Sequence, residues 1–210
     1  DRCGLARDGR TEGFILPPSG WTREFRGELS WLWRGFQARG FYVQGSRPKG
    51  MFGAPGELQP IANSGEFRRW GGSLGVDRQL SPGLWLHAQA TTLTGSGLDR
   101  FNALEVGGLS GSGLAGIRSH ALAADRLTTA RMSLTLPSGP SLRLTVGLEQ
   151  ALARSLDNGR DYRFTGASAS GDLPGFGWFT ACRVNLGVGL KSDVPGVKAV
   201  NGMFTFLRVF

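Results

Sequence analysis

Few side chains in this 210-residue chain have reactive chemistry of their own. There are two histidines, His87 and His120, and two cysteines, Cys3 and Cys182. A catalytic histidine needs a nucleophile or a second titratable group within hydrogen-bond reach. No spacing around either histidine supplies one, so both read as interior or loop residues. The cysteines lie almost a chain length apart, which is no metal spacing. A disulfide between them is possible but not required. The motifs H-E-x-x-H, G-x-S-x-G and G-x-x-x-x-G-K-[ST] are absent. The expectation is a chain that is not an enzyme and carries no metal or cofactor. Arginine is abundant instead. The net charge is +8, and all but three of the 24 cations are Arg. They are spread along the chain without a patch, which argues against a nucleic-acid partner. A planar guanidinium suits buried carboxylates and lipid phosphates, including those of lipopolysaccharide.

The elements that must position these groups read as strands. Glycine supplies 34 residues, far above the usual ~7%, with no collagen-like period. Six Trp and 13 Phe argue against disorder. Apolar and polar residues alternate along many segments. In Ala130–Leu136 the even positions are apolar. Leu142, Leu144, Val146 and Leu148 alternate with Arg143, Thr145, Gly147 and Glu149. Val184, Leu186, Val188 and Leu190 alternate with Arg183, Asn185, Gly187 and Gly189. Similar runs include Phe25–Arg34, Trp70–Asp77 and Leu84–Thr91. The runs span seven to ten residues, approaching the ~9–11 of a tilted membrane-spanning strand and longer than the usual ~5–6 residues of a soluble one. Trp21, Trp70, Trp178 and Phe179 sit near strand ends, as interfacial aromatics do. The expected fold is all-β, an antiparallel transmembrane β-barrel. A soluble β-sandwich would show the same alternation but not that length.

Short connections are expected near Gly35-Phe36, Leu80–Gly83, Pro137–Pro140 and Ser192–Gly196. Long ones are expected at roughly 48–65, 95–125 and 155–176. An Asn201-Gly202 turn would close a last small hairpin. Residues 1–20 read as a loop or tail and residues 21–210 as barrel. The count is nine strands between Arg23 and Phe210. Bacterial single-chain barrels normally have an even number, and an open edge cannot face lipid. Either residues 11–18 add a strand, or this is the C-terminal part of a larger barrel; the second reading is favoured.

Glu149 alternates with Leu148 and so faces the interior, where a carboxylate needs a cation. Arg118, Arg131, Arg143 and Arg183 are the candidates. The segment Glu105–Gly108, the Gly/Ser-rich run after it, Ile117-Arg118-Ser119-His120 and Asp125-Arg126-Leu127 together resemble one superfamily. So does Val184–Leu190 with Pro195-Gly196. The end of the chain, with Phe204, Phe206 and the terminal Phe210, resembles the C-terminal signal of bacterial outer-membrane barrels in general, with Arg208 as a departure. The superfamily is the bacterial surface antigen superfamily, the barrel-assembly and two-partner-secretion translocases. The resemblance implies that a long external loop folds into the barrel. There its hydrophobic–Arg–Gly–aromatic motif, here Ile117, Arg118, Ser119 and His120, would set Arg118 against Glu149. Ser119 and His120 replace the family's Gly and aromatic.

The function so implied is that of the membrane-embedded part of an outer-membrane assembly or polypeptide translocation factor, in a Gram-negative-type bacterium. Its partners would be outer-membrane lipid, a polypeptide substrate, and remaining barrel strands or an upstream periplasmic domain. The alternatives are a membrane anchor for an upstream peptidase-like domain and a small structural or pore barrel.

Overall fold

The computed structural model describes residues 2–7, 10–15, 23–46, 51–52, 59–60, 65–99, 102–107, 114–118, 121–137, 143–174 and 181–207. Fourteen strands are formed, and no described residue is helical. They are β1 (Arg2–Arg7), β2 (Arg10–Ile15), β3 (Arg23–Trp33), β4 (Phe36–Ser46), β5 (Met51–Phe52), β6 (Gln59–Pro60) and β7 (Glu66–Ser81). Then follow β8 (Leu84–Ser96), β9 (Leu104–Val106), β10 (Leu122–Pro137), β11 (Arg143–Ser155), β12 (Asp161–Pro174), β13 (Ala181–Ser192) and β14 (Val200–Leu207).

Nine of these form an antiparallel meander in the order β3-β4-β7-β8-β10-β11-β12-β13-β14, and β9 adds a tenth strand against β10. Among the described residues no ladder joins β3 to β14, so the sheet is open. Local chemistry explains the tight ends. Arg34 and Gly35 both have positive φ, 47° and 84°, the primed turn that matches strand twist. Pro82-Gly83 closes β7 to β8, with Gly83 at φ 80°, as a proline-then-glycine turn requires.

Register carries the alternation across the whole sheet. One row runs Trp33, Phe36, Val76, Ala88, Met132, Leu148, Ala167, Val188, Val200, apolar on all nine strands. The adjacent row on the other face runs Gln37, Gly75, Gln89, Arg131, Glu149, Gly166, Gly189. The apolar face is bare: Trp31, Trp33, Leu74, Met132, Leu148, Leu186, Val188 and Phe204 are all exposed. Leu136, Leu144 and Val146 are exposed on this same face. The polar face is covered in part. Leu104, Val106, Leu114 and Ile117 from the β8–β10 connection pack there against Leu127, Ala153 and Phe164. The buried core therefore lies under a loop, while the larger apolar surface has no cover among the described residues.

Three expectations about elements need correction. Residues 161–174 form the full strand β12, and the β11–β12 connection is only the segment 156–160. The Asn201-Gly202 pair lies inside β14, paired with Gly187 and Leu186, and makes no turn. These two errors offset each other, so the expected nine equals the strands of the meander alone; β5, β6 and β9 also lie between Arg23 and Phe210 and were not expected. Residues 2–7 and 10–15, expected as loop or tail, pair as a two-stranded ribbon.

Candidate functional site

The site is the contact between the β8–β10 connection and the covered face. Its floor is glycine. A Cβ on Gly166 would collide with the Ala115 carbonyl oxygen, and one on Gly189 with that of Gly116. One on Gly187 would meet the Gly116 nitrogen at 2.7 Å. Only the absence of side chains lets the two backbones approach this closely. Gly116 itself has φ 70° and would place a Cβ inside β13.

Backbone hydrogen bonds fix the loop laterally. Ala199 N–H donates to the Gly116 carbonyl (2.8 Å), and Arg118 N–H donates to that of Val197 (3.1 Å). Ile117 bridges to Lys198, so residues 116–118 behave as an extra strand on the β13–β14 connection. The Asn201 side chain serves the loop twice. Its Oδ1 accepts from Gly116 N–H at 3.1 Å, and its Nδ2 donates to the Ile117 carbonyl at 3.4 Å.

Glu149 anchors the same segment from below and is only 5% exposed. Its Oε2 accepts from Ala115 N–H at 2.8 Å, and its Oε1 lies 3.0 Å from Arg131 Nε. Arg131 stands directly opposite Glu149 in the β10–β11 ladder. The carboxylate thus meets both demands of burial, a cation and a hydrogen-bond donor. Ion pair and loop contact are one structure, because Glu149 joins them.

The residues expected to form one network fall into separate places. Arg131 and Glu149 pair. Arg183 pairs with Asp172, its Nη2 at 3.0 Å from Oδ2, and Arg143 stands across from that same Asp172 at the turn end of the sheet. Arg118 does not take the Glu149 position: its side chain is exposed and only its backbone docks. The loop does fold onto the polar face, but Ala115 N–H makes the carboxylate contact. Ile117 is fully buried. Ser119, His120 and Phe210 lie outside the described residues, as does the side chain of Phe206; Phe204 is exposed on the bare face. Cys182 is a buried free thiol.

Sequence reasoning missed Asn201, Gly166 and Asp77. His87 Nδ1 lies 2.6 Å from Asp77 Oδ1, and Gln37 donates to Asp77 Oδ2 at 2.8 Å. The available signal was phase: Asp77 and His87 both alternate with apolar neighbours and so share the polar face. Two cavities meet at Gln89, Arg131 and Ser133, one of about 570 Å³ beside Glu149 and one of about 650 Å³ beside His87. Among the described residues no group of three His, Cys, Asp or Glu side chains could hold a metal.

Comparison with protein-family models, curated proteins and solved structures finds no match to this chain.

Proposed function

We propose that this chain is the membrane-embedded portion of an outer-membrane β-barrel that assembles or translocates polypeptides. The bare face is the lipid-facing surface and the covered face lines the interior. The observation that carries the reading is the inversion of polarity: an apolar row across the nine-stranded meander lies uncovered, while the carboxylate of Glu149, paired with Arg131, is buried beneath a loop. In water such a face is an aggregation liability; in lipid it is the required surface. From Thr128 to Pro137, at ~3.3 Å per residue and a tilt of ~40°, the strand rises roughly 25 Å, the height of such an apolar band.

The open edges of β3 and β14 have backbone groups that lipid cannot satisfy. The sheet therefore continues into other polypeptide, or closes on itself through contacts beyond those described. The glycine-seated loop supports the translocase reading over a bare pore, because a plug held by its backbone narrows the interior.

The test uses the full protein, reconstituted in vesicles and supplied with an unfolded outer-membrane substrate. The expected result is protease-resistant insertion or transfer that falls when the loop is unseated. Vesicle-resident protein that moves no substrate would refute the translocase role. Protein extracted from vesicles by alkaline carbonate would refute the membrane reading itself.

A further inference from the structure

The β3–β4 turn has an unexpected residue. A primed two-residue turn favours Asn-Gly or Asp-Gly because both positions need positive φ. Here the first position is Arg34, at φ 47°, the one described non-glycine residue with positive φ. Strain at a residue the turn does not require points to a role outside the turn. The Arg34 guanidinium lies over the Trp33 ring, 5.1 Å from its centroid, which holds it on the bare face.

A second arginine stands beside it. Asp77 N–H donates to the Gly35 carbonyl, which brings the residues flanking that bond, Arg34 before Gly35 and Arg78 after Asp77, to the same end of the sheet. Arg78 follows Trp70, Leu74 and Val76 in phase and so projects from the apolar face. Both arginines are exposed. Among the described residues neither takes part in an ion pair, and the neighbouring Asp77 faces the other way, toward His87. Two cations gathered at one end of the sheet attract an anion to the space beside them.

Apolar space begins where the charges end. The stacked rings of Trp31 and Trp33, 6.1 Å apart, form a ridge. Beyond it Ala38, Ala88, Ala90 and Ala130 leave a trough of about 730 Å³. A second hollow of about 490 Å³ shares Trp31, Ala38, Leu74 and Ala90 and extends it over Gly40 and Gly72. The volumes fall in the usual ~300–1,000 Å³ range of ligand sites.

We infer that Arg34 and Arg78 bind the phosphate of a glycerophospholipid whose acyl chain lies in the alanine trough. The site sits at the turn end of the sheet, on the leaflet facing the short connections. The inference rests on the bare face being in lipid, as proposed above. A guanidinium pair matches phosphate oxygens bidentately, and the trough matches a flexible hydrocarbon chain rather than a folded partner.

The test is native mass spectrometry of the full chain released from detergent micelles. The probes are phosphatidylglycerol and a diacylglycerol with the same acyl chains. Wild type should retain phosphatidylglycerol in preference. The double change Arg34→Asn and Arg78→Gln should lower that retention by roughly tenfold or more, while Asn at position 34 improves the turn and preserves folding. Ala88→Phe should weaken both lipids by filling the trough. Arg163→Gln, at the opposite end, should change nothing. Undiminished retention by the double variant overturns the inference, as does equal competition by soluble glycerol phosphate. An equal effect of Arg163→Gln overturns it as well. Failure of the unaltered chain to stay in vesicles would count against the membrane reading, whereas a vesicle-resident chain blind to the phosphate counts against this site alone.

Discussion

Glu149 is the residue on which the covered face turns, and its two partners are not equivalent. Arg131 keeps 46% of its side chain exposed, whereas the Glu149 side chain keeps 7%. Arg131→Ala therefore leaves a buried carboxylate with only the Ala115 N–H and, at 3.5 Å, the Ser168 hydroxyl; a loss of about 3 kcal/mol is expected. Glu149→Ala leaves an arginine that can reach water and one orphaned N–H, at about 1–3 kcal/mol. The double change should cost less than the sum, measured by urea unfolding in detergent. Arg118→Ala should stay within about 0.5 kcal/mol, since its side chain is exposed and only its backbone docks. A larger loss there than at Arg131 would restore the pairing that the Ile117-Arg118 resemblance implies. The alternation made the polar-face phase of Glu149 legible. Its partner was not, because the choice depends on which arginine stands directly across the ladder.

At the scale of elements, the loop is held by a surface without side chains. Gly189→Ala drives a methyl group into the Gly116 carbonyl, where the obstacle is backbone and cannot rotate away. The loop must lift, at about 1–3 kcal/mol. Protease cleavage within residues 97–121 should accelerate in this variant and in Asn201→Ala, which removes two loop hydrogen bonds. Gly171→Ala is the control, because a Cβ there meets nothing within 4 Å; equal acceleration by it would show that the glycine floor does not seat the loop. The same architecture explains where the sequence was misleading. Strand β12 runs through Gly166, Ala167, Ser168, Ala169, Ser170 and Gly171, small on both faces, so no apolar period marks it. One of those small residues is the seat for Ala115. Asn201-Gly202 carries a hairpin's turn signal, yet Asn201 points its amide at the loop from within a strand. In both places loop contact, a long-range constraint, displaced the local signal. Where a strand meets only its neighbours, as in Leu144–Leu148, the alternation was read directly.

For the molecule as a whole, the decisive question is which medium covers the bare face, and two adjacent positions on β10 answer it. Met132 lies in the apolar row between Ala88 and Leu148 and is 52% exposed. Ser133, the next residue, faces the opposite side, across from His87 and beside both cavities of the polar face. If lipid covers the bare face, Met132→Arg places a cation near the middle of the band, where the expected loss is about 2–4 kcal/mol. If water covers it, Met132→Arg is an exposed surface change, within about 0.5 kcal/mol. Ser133→Arg tests the other face. The adjoining cavities have room for a longer side chain and polar walls to receive it, so a loss of less than about 1 kcal/mol is expected. Its guanidinium would stand near Arg131, which sets a small repulsive contribution. Urea titration of folding into phosphatidylcholine vesicles measures both variants in one assay. A large loss at Met132 with a small one at Ser133 follows from a lipid-facing apolar row. Equal tolerance at the two positions would mean that the apolar row is wet, and the membrane reading would fall with it.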